Sequence, residues 1–341
     1  MLRRLIIALC CMLCLGSAGA AEAPVKPYKI MMILYRGATD AEKGFMDYFN
    51  RRHIAVEFIV RDAQADNARI ADFVAEARAL KPDLIYTFGT TVTAAVAGLD
   101  GQVDPARNIT DIPVVFNIVA DPVGAGLVKS LAGSGRNLTG ASHMVPLRAQ
   151  LQALEAMHAT RTLGVIYNSR EKNSTLAVQQ LQALAPEFHL TLELAPVGND
   201  SSGKPQLADI RSAMRSLVQK RPQFIYLPSD SLLIKNADVV LQAAQAAAIP
   251  VFAATEAPIR NDGALLGLVS TYYNVGELAA HKAEKILTRQ MPAARIPVES
   301  LNRFTYLVNM GTARKLKLYP PLSVVKFAEL IVPLDTVDAR E

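Results

Sequence analysis

KPDLIYTFGTT (Lys81–Thr91) and RPQFIYLPSDS (Arg221–Ser231) follow one pattern: a basic residue and proline, an apolar run, then a polar end. Each is followed by a second apolar segment entered through Ile-Pro. IPVVFNIVADP (Ile112–Pro122) begins 31 residues after the first, and IPVFAATEAP (Ile249–Pro258) begins 28 residues after the second. Each copy reads as a buried strand, a polar strand end, a helix and another buried strand. A repeat of this length predicts two similar Rossmann-like α/β lobes in one chain, each built on a parallel sheet. Two facing lobes enclose a cleft, which is a place to hold a small molecule.

The alternation extends outward from both copies. YKIMMILY (Tyr28–Tyr35) is a continuous apolar run, as expected of a strand buried on both faces of a parallel sheet. A helix capped by Thr39 or Asp40 follows, with Phe45, Met46 and Phe49 inward. Strands are predicted at Ile54–Val60, Leu84–Phe88 and Val114–Val119, with a helix over Asn67–Leu80. Thr90 or Thr91 can cap a short Ala/Val-rich helix. The order restarts at TLGVIYN (Thr162–Asn168) and runs through strands at Leu190–Val197, Phe224–Asp230 and Val251–Thr255. Asn261–Tyr273 reads as a turn and a strand crossing between lobes, and Val275–Arg289 as a helix. The strand at Phe304–Val308 carries no signal assigning it to a lobe. The expected layout is lobe 1 over residues 24–143, completed by about 274–296. Lobe 2 covers residues 144–273, completed by part of 297–341.

Residues 1–23 stand apart. Arg3 and Arg4 precede an eleven-residue apolar run, Leu5–Leu15, and Ala18-Gly19-Ala20 offers a small-residue cleavage site. This is the layout of a secretory signal peptide, and the apolar core is short for a spanning helix. All three cysteines (Cys10, Cys11, Cys14) lie in that run, so cleavage after Ala20 leaves a chain with none. Disulfides, thiolate nucleophiles and cysteine-ligated metals are thereby excluded from the mature chain. Leu9 and Leu13 stand where a lipidation signal requires a small residue before its cysteine. The expected product is a free soluble protein in the periplasm.

The formal charge is +5, and removal of Arg3 and Arg4 leaves +3, interspersed along the chain. That is a mildly basic surface and no nucleic-acid footprint. Gly124-Ala125-Gly126 lacks the third glycine of a dinucleotide fingerprint, and Lys129-Ser130 lacks the glycines of a phosphate loop. No Gly-x-Ser-x-Gly elbow occurs. The five histidines (His53, His143, His158, His189, His281) have no metal-ligand spacing. The expectation is a binding protein without cofactor, metal or catalytic residues.

In open parallel sheets, ligands bind beyond the carboxyl ends of the strands. The candidate ligand-binding residues are therefore Tyr35, Thr90, Thr91, Asn117, Asp121, Ser142, Asn168, Ser229, Asp230 and Tyr272. Thr90 and Thr91 open a helix whose free N–H groups suit a carboxylate, unless they serve only as caps. Asp230 is the expected partner of an ammonium group, or else a cap for the helix near Leu232. On the first of these readings, Asp230→Ala abolishes binding and leaves the melting temperature nearly unchanged. Asp121, before Pro122 and Gly124, is expected to fix a turn more than to touch ligand. Asn168 and Ser142 can bond a ligand or stabilise their own loops. Tyr35 and Tyr272 can wall a flat apolar ligand, whereas Tyr273 is expected to pack. Arg36 can hold a carboxylate bidentately or remain a solvated loop charge.

Several segments resemble the ABC-transporter substrate-binding protein family that includes tryptophan- and tyrosine-binding members. They are IPVVFNIVADPVGAGLVKSL (Ile112–Leu131), GRNLTGASHMVPLRAQL (Gly135–Leu151), LGVIYNSREKNS (Leu163–Ser174), FIYLPSDS (Phe224–Ser231), GALLGLVSTYYNVGELAAHKAEKIL (Gly263–Leu287) and YLVNMGTARKLKL (Tyr306–Leu318). The similarity covers about Tyr28 to Leu330. It implies a type I periplasmic binding-protein fold whose lobes close about a hinge on a small ligand. The ligand implied is an aromatic or branched-chain amino acid, or a related carboxylate. The implied partner is an inner-membrane ABC permease with its ATPase, served by a monomeric carrier. At Ser229-Asp230-Ser231 the family commonly has Thr-Asp-Asn, so here the amide is lost. A periplasmic sensory module that docks on a membrane receptor or kinase would use the same fold and site.

Overall fold

The computed structural model describes residues 26–198 and 205–332. The expected export signal, with its three cysteines, lies outside the described residues. Among these residues no helix is long and apolar enough to cross a membrane.

The first lobe is built from β1 (Tyr28–Leu34), α1 (Asp40–Arg51), β2 (Val56–Asp62), α2 (Ala68–Leu80), β3 (Leu84–Phe88), α3 (Gly89–Ala97), β4 (Val114–Val119) and β5 (Leu138–Ser142). The chain then enters the second lobe: α4 (Leu147–Met157), β6 (Thr162–Asn168), α5 (Lys172–Leu184), β7 (Thr191–Val197), α6 (Leu207–Gln219) and β8 (Phe224–Leu227). It continues through α7 (Ser231–Lys235), α8 (Ala237–Ala246), β9 (Val251–Ala253) and β10 (Leu266–Val269). Helix α9 (Tyr272–Arg289) and β11 (Glu299–Ser300) return to the first lobe. Strand β12 (Thr305–Asn309), α10 (Met310–Leu316), α11 (Leu322–Val325) and β13 (Ala328–Ile331) finish the second.

One sheet has six strands in the order β11-β5-β4-β3-β1-β2, and its pairs are all parallel. The other has seven, β13-β12-β10-β9-β8-β6-β7, and β12 alone runs antiparallel to its neighbour β10. The strand near Phe304–Val308 thus belongs to the seven-stranded sheet. The chain passes between sheets after β5, after β10 and after β11, and these three crossings form the hinge.

The apolar runs fold this way because both faces of each sheet are covered. Ile30, Met32 and Leu34 of β1 pack on one face, with Phe45 and Phe49 of α1, while Met31 and Ile33 pack on the other. In β8, Phe224 and Tyr226 face one way and Ile225 and Leu227 the other. Such period-two alternation within an unbroken apolar strand is the mark of a doubly covered parallel sheet.

Helix α1 starts at a capping box. The Thr39 hydroxyl accepts from Ala41 N at 3.2 Å, and Glu42 Oε2 accepts from Thr39 N at 2.7 Å. Helix α9 lies against α1 at backbone contact: a Cβ on Gly44 would strike Tyr273 O, and one on Gly276 would strike Ala41 O. The wholly buried Lys282 of α9 donates to Pro297 O at 2.6 Å and to Glu299, tying β11 to the sheet edge.

Two local expectations are corrected. Neither Thr90 nor Thr91 caps α3, which starts at Gly89 with Phe88 in the cap position and no side-chain cap. The predicted strand over Asn261–Tyr273 is confined to Leu266–Val269, because Tyr272 and Tyr273 already belong to α9. Residues Pro258–Asp262 form a short π-helical turn closed by Gly263 at φ +92°.

Candidate functional site

The carboxyl ends of both sheets face the space between the lobes. In the first lobe β3 ends at Phe88, and Gly89 takes φ +79° to turn the chain directly into α3. With no side-chain cap, the first N–H groups of α3 remain available to an anion. Thr90 and Thr91 are half-buried, and neither hydroxyl has a hydrogen-bond partner among the described residues.

Strand β4 ends in an irregularity: its register with β5 shifts between Phe116 and Val119, and Ile118 sits at φ +55°. A β-branched residue with positive φ is strained and must be held in place. Asn117 holds it. Its Oδ1 accepts from Ile118 N at 3.0 Å, and its Nδ2 donates to Tyr86 Oη at 3.1 Å. Tyr86 in turn donates to Glu42 Oε1 at 2.5 Å, and burial raises the pKa of both Glu42 and Tyr86. Asn117 is 0 % exposed, so the residue expected to contact ligand is a brace behind the cleft wall. Asp121 holds its turn as expected, with Oδ1 accepting from Gly124 N at 2.8 Å. Its Oδ2 also accepts from Gln180 of α5 at 3.3 Å, a contact between lobes.

In the second lobe Asp230 is 1 % exposed and is a cap. Oδ1 accepts from Leu233 N at 2.9 Å and Oδ2 from Asn168 N at 3.0 Å. Both carboxylate oxygens are therefore engaged by backbone donors. Asn168 bonds its own loop, with Oδ1 accepting from Arg170 N at 3.0 Å. The carboxylate that sequence reasoning missed is Glu171. It is half-buried, accepts from Ser231 N at 3.0 Å and from Ser231 Oγ at 2.9 Å, and touches Asn173. Burial, with the neighbouring Asp230 charge adding to it, pushes its carboxyl up to about 7.

Tyr35 and Arg36 approach this loop from the first lobe. Arg36 Nη1 donates to Ser231 O at 3.3 Å, and its guanidinium lies 5.9 Å from the Phe88 ring centroid. Tyr35 is half-buried, and its pKa is raised by burial and then by the charges of Glu171 and Asp230. At the hinge, His143 Nε2 lies 2.8 Å from Ser229 Oγ, and its ring meets Tyr272 edge-on at 5.7 Å. Burial lowers the His143 pKa to about 4 and pushes Tyr272 up to about 12, so both are neutral at pH 7. Ser142 Oγ donates to Ala120 O at 3.0 Å. Tyr273 packs on α1, donating to Asp47 at 3.1 Å and accepting from Arg51 at 2.7 Å. Three buried hydroxyls just beyond second-lobe strands, Thr255 Oγ1, Ser270 Oγ and Thr271 Oγ1, have no hydrogen-bond partner among the described residues.

Beside this polar cluster lies a cavity of about 320 Å³ between the loop after β4, the hinge segments and α5. Asp121, Ser142 and Ser229 of the expected residues line it, together with Asn173 and Gln180. The rest of the wall is largely aliphatic, with Val123, Met144, Val145, Leu176 and Val298 prominent, and no aromatic ring lines it. Asn173 joins the two regions, because its Nδ2 donates to Ser229 O at 2.5 Å and its side chain also bonds Glu171. The cleft is thus charged and polar at one end and apolar at the other. Glu171 and Asn173 were legible only as loop residues; their Glu-x-Asn spacing just after a strand was the available signal.

This fold and cleft are those of a type I binding protein, two α/β lobes joined by three crossings. A family model described as ABC transporter substrate binding protein matches residues 33–332, and the chain belongs to that family. A tyrosine-binding protein of Clostridioides difficile (strain R20291) is 29 % identical over 279 residues, covering 81 % of this chain and 74 % of the relative. The crystal structure of an ABC domain in complex with L-Trp from Streptococcus pneumonia superposes with a TM-score of 0.75 at 23 % identity. It covers 89 % of this chain and 99 % of that one. A conserved domain protein from Vibrio cholerae O1 biovar El Tor gives 0.80 at 23 % identity, covering 90 % and 100 %.

Proposed function

We propose that this chain is the periplasmic, monomeric receptor of an ABC importer, and that it captures an amino acid with a large apolar side chain for a membrane permease and its ATPase. The carrying observation is the amphipathic cleft, in which a polar cluster adjoins a cavity of about 320 Å³ with mostly aliphatic walls. The ligand carboxylate meets the open start of α3 at Gly89, Thr90 and Thr91. The apolar side chain enters the cavity past Asn173 and Ser229. Ligand bridging both lobes favours the closed state, and only differential affinity is required. The relatives described as binding tyrosine and L-Trp support this class. The expected lobe limits, 24–143 with about 274–296 and 144–273 with part of 297–341, are retained as part of the proposal.

The test is a thermal-shift screen and calorimetry on residues 21–341 with L-tyrosine, L-tryptophan, L-phenylalanine and L-leucine. A ligand that binds only the folded chain at 100-fold its Kd adds about 2.7 kcal/mol of stability. A rise with one of these amino acids supports the reading. No response to any of them sinks it. Loss of uptake of that amino acid on deleting the gene would tie binding to transport.

A further inference from the structure

Two carboxylates stand together at the strand ends of the second lobe, and they differ in what is left to them. Asp230, 1 % exposed, accepts from Leu233 N, Leu232 N, Asn168 N and the Ser174 side chain, four donors that fill its lone pairs. Glu171 occupies the cap position of α5 but makes no cap bond to that helix. It turns to Ser231, whose N–H is shared between its two oxygens at 3.0 Å each and whose hydroxyl takes Oε1. A carboxylate offers about four lone-pair sites, and half-buried Glu171 meets only three donors: the shared Ser231 N–H, the Ser231 hydroxyl and Asn173.

Among the described residues no cation forms an ion pair with Glu171. Asp230 adjoins it from the end of β8, and its charge acts on Glu171. From the first lobe come Tyr35 and Arg36 after β1, with Asp66 beyond β2 acting on Tyr35. Arg36 gives Nη1 to Ser231 O. On its own loop, Arg170 Nε donates to Gly198 O, and Lys172 is exposed.

We propose that Glu171, and not Asp230, receives the ammonium group of the ligand, and that Glu171 gives up a proton as it does so. The assignment rests on the amino-acid reading above and refines it to ligands that carry a protonated amine. The balance is simple: a neutral carboxylic acid meets an ammonium ion, the carboxylate–ammonium pair forms, and one proton leaves to solvent. Burial beside Asp230 puts the empty Glu171 at about 7, so much of it is protonated at neutral pH. A bound cation favours the ionised form and lowers that value. Binding therefore releases up to one proton below about pH 7, and affinity rises with pH by up to about tenfold per unit there. Above about 7 the dependence flattens. His143, held near 4, stays neutral across this window and adds no slope of its own.

The experiment is titration calorimetry on residues 21–341, wild type and Glu171→Gln, in two buffers of different ionisation enthalpy at about pH 6.5. The probes are L-tyrosine and L-tryptophan against 3-(4-hydroxyphenyl)propionate and indole-3-propionate, the same molecules without the amine. The expected result is a loss of about tenfold or more for the amino acids in Glu171→Gln. The deaminated acids should change little, and proton release should occur in wild type and vanish in the variant. Glu171→Asp, which keeps the charge, should retain the preference for the amine and serves if Glu171→Gln does not fold. Equal losses for both ligand types, or none for either, overturn the assignment and leave the amino-acid reading standing. Wild-type binding to the deaminated acids alone also overturns it. If wild type binds neither type, the amino-acid reading fails and the assignment falls with it.

Discussion

The two copies of the repeat that define the fold end differently, and the difference locates the chemistry. In the first, β3 runs through Gly89 into α3 with no side chain over the helix start, leaving Thr90, Thr91 and the first N–H groups to the cleft. In the second, β8 runs into Asp230, which closes its own helix and also receives the N–H of Asn168. One copy leaves its helix N-terminus open and the other uses a carboxylate to seal it. A sealed end contributes rigidity, and an open end contributes a binding surface. The charge that the second lobe presents comes instead from Glu171, one strand over.

Breaking the sealed end should have the largest effect on stability. Asp230→Ala strips the cap and leaves buried N–H groups unpaired, so chemical denaturation should register a loss of about 2–4 kcal/mol. This reverses the expectation from sequence of an unchanged melting temperature. A melting temperature within error of wild type would show that the seal is not structural.

The open end should respond more weakly. Gly89→Ala forces a side chain onto φ +79°, and denaturation should show a loss of about 1 kcal/mol. A Thr90→Val, Thr91→Val pair should change stability by less than about 0.5 kcal/mol, since neither hydroxyl is bonded among the described residues. The same pair should weaken amino-acid binding by about tenfold in calorimetry if the hydroxyls and adjoining N–H groups hold the carboxylate. Unchanged affinity would remove the open end from the site.

The pH dependence of the unliganded protein sharpens the contrast further. Glu171 has a raised folded-state value, so its contribution is present below its ordinary carboxyl range and is lost as pH climbs through about 7. Glu171→Gln should therefore raise the melting temperature by a few degrees at about pH 8 and hardly at all at about pH 5. His143 has the opposite sign. Its value is lowered to about 4, so stability falls as pH drops from about 6.5 toward 4, where the unfolded chain binds the proton more readily. A Glu171→Gln melting curve that parallels wild type at both pH values would show that the carboxyl is not strained by burial.

Much of the fold was legible because apolar strand runs, Ile-Pro entries and strand–helix alternation are local signals. The strand ends were legible as a set for the same reason. Their separate roles were not. Asn117 and Thr90 have similar sequence settings, yet one is sealed behind a bulge and the other borders the cleft. Asp230 and Glu171 are both acidic residues just beyond strands, and only the positions of Asn168 N, Leu233 N and Ser231 separate them.

The sequence by itself determined that two α/β lobes exist, where their strands lie and which polar residues stand at the strand ends, since periodicity and turn chemistry act between near neighbours. The tertiary structure alone decided which of those residues remain unspent. That depends on donors and charges brought from far along the chain, such as Arg36 meeting Ser231 and α9 returning to α1 through Gly44 and Gly276. A side chain is free for a ligand only after the folded protein has finished using it.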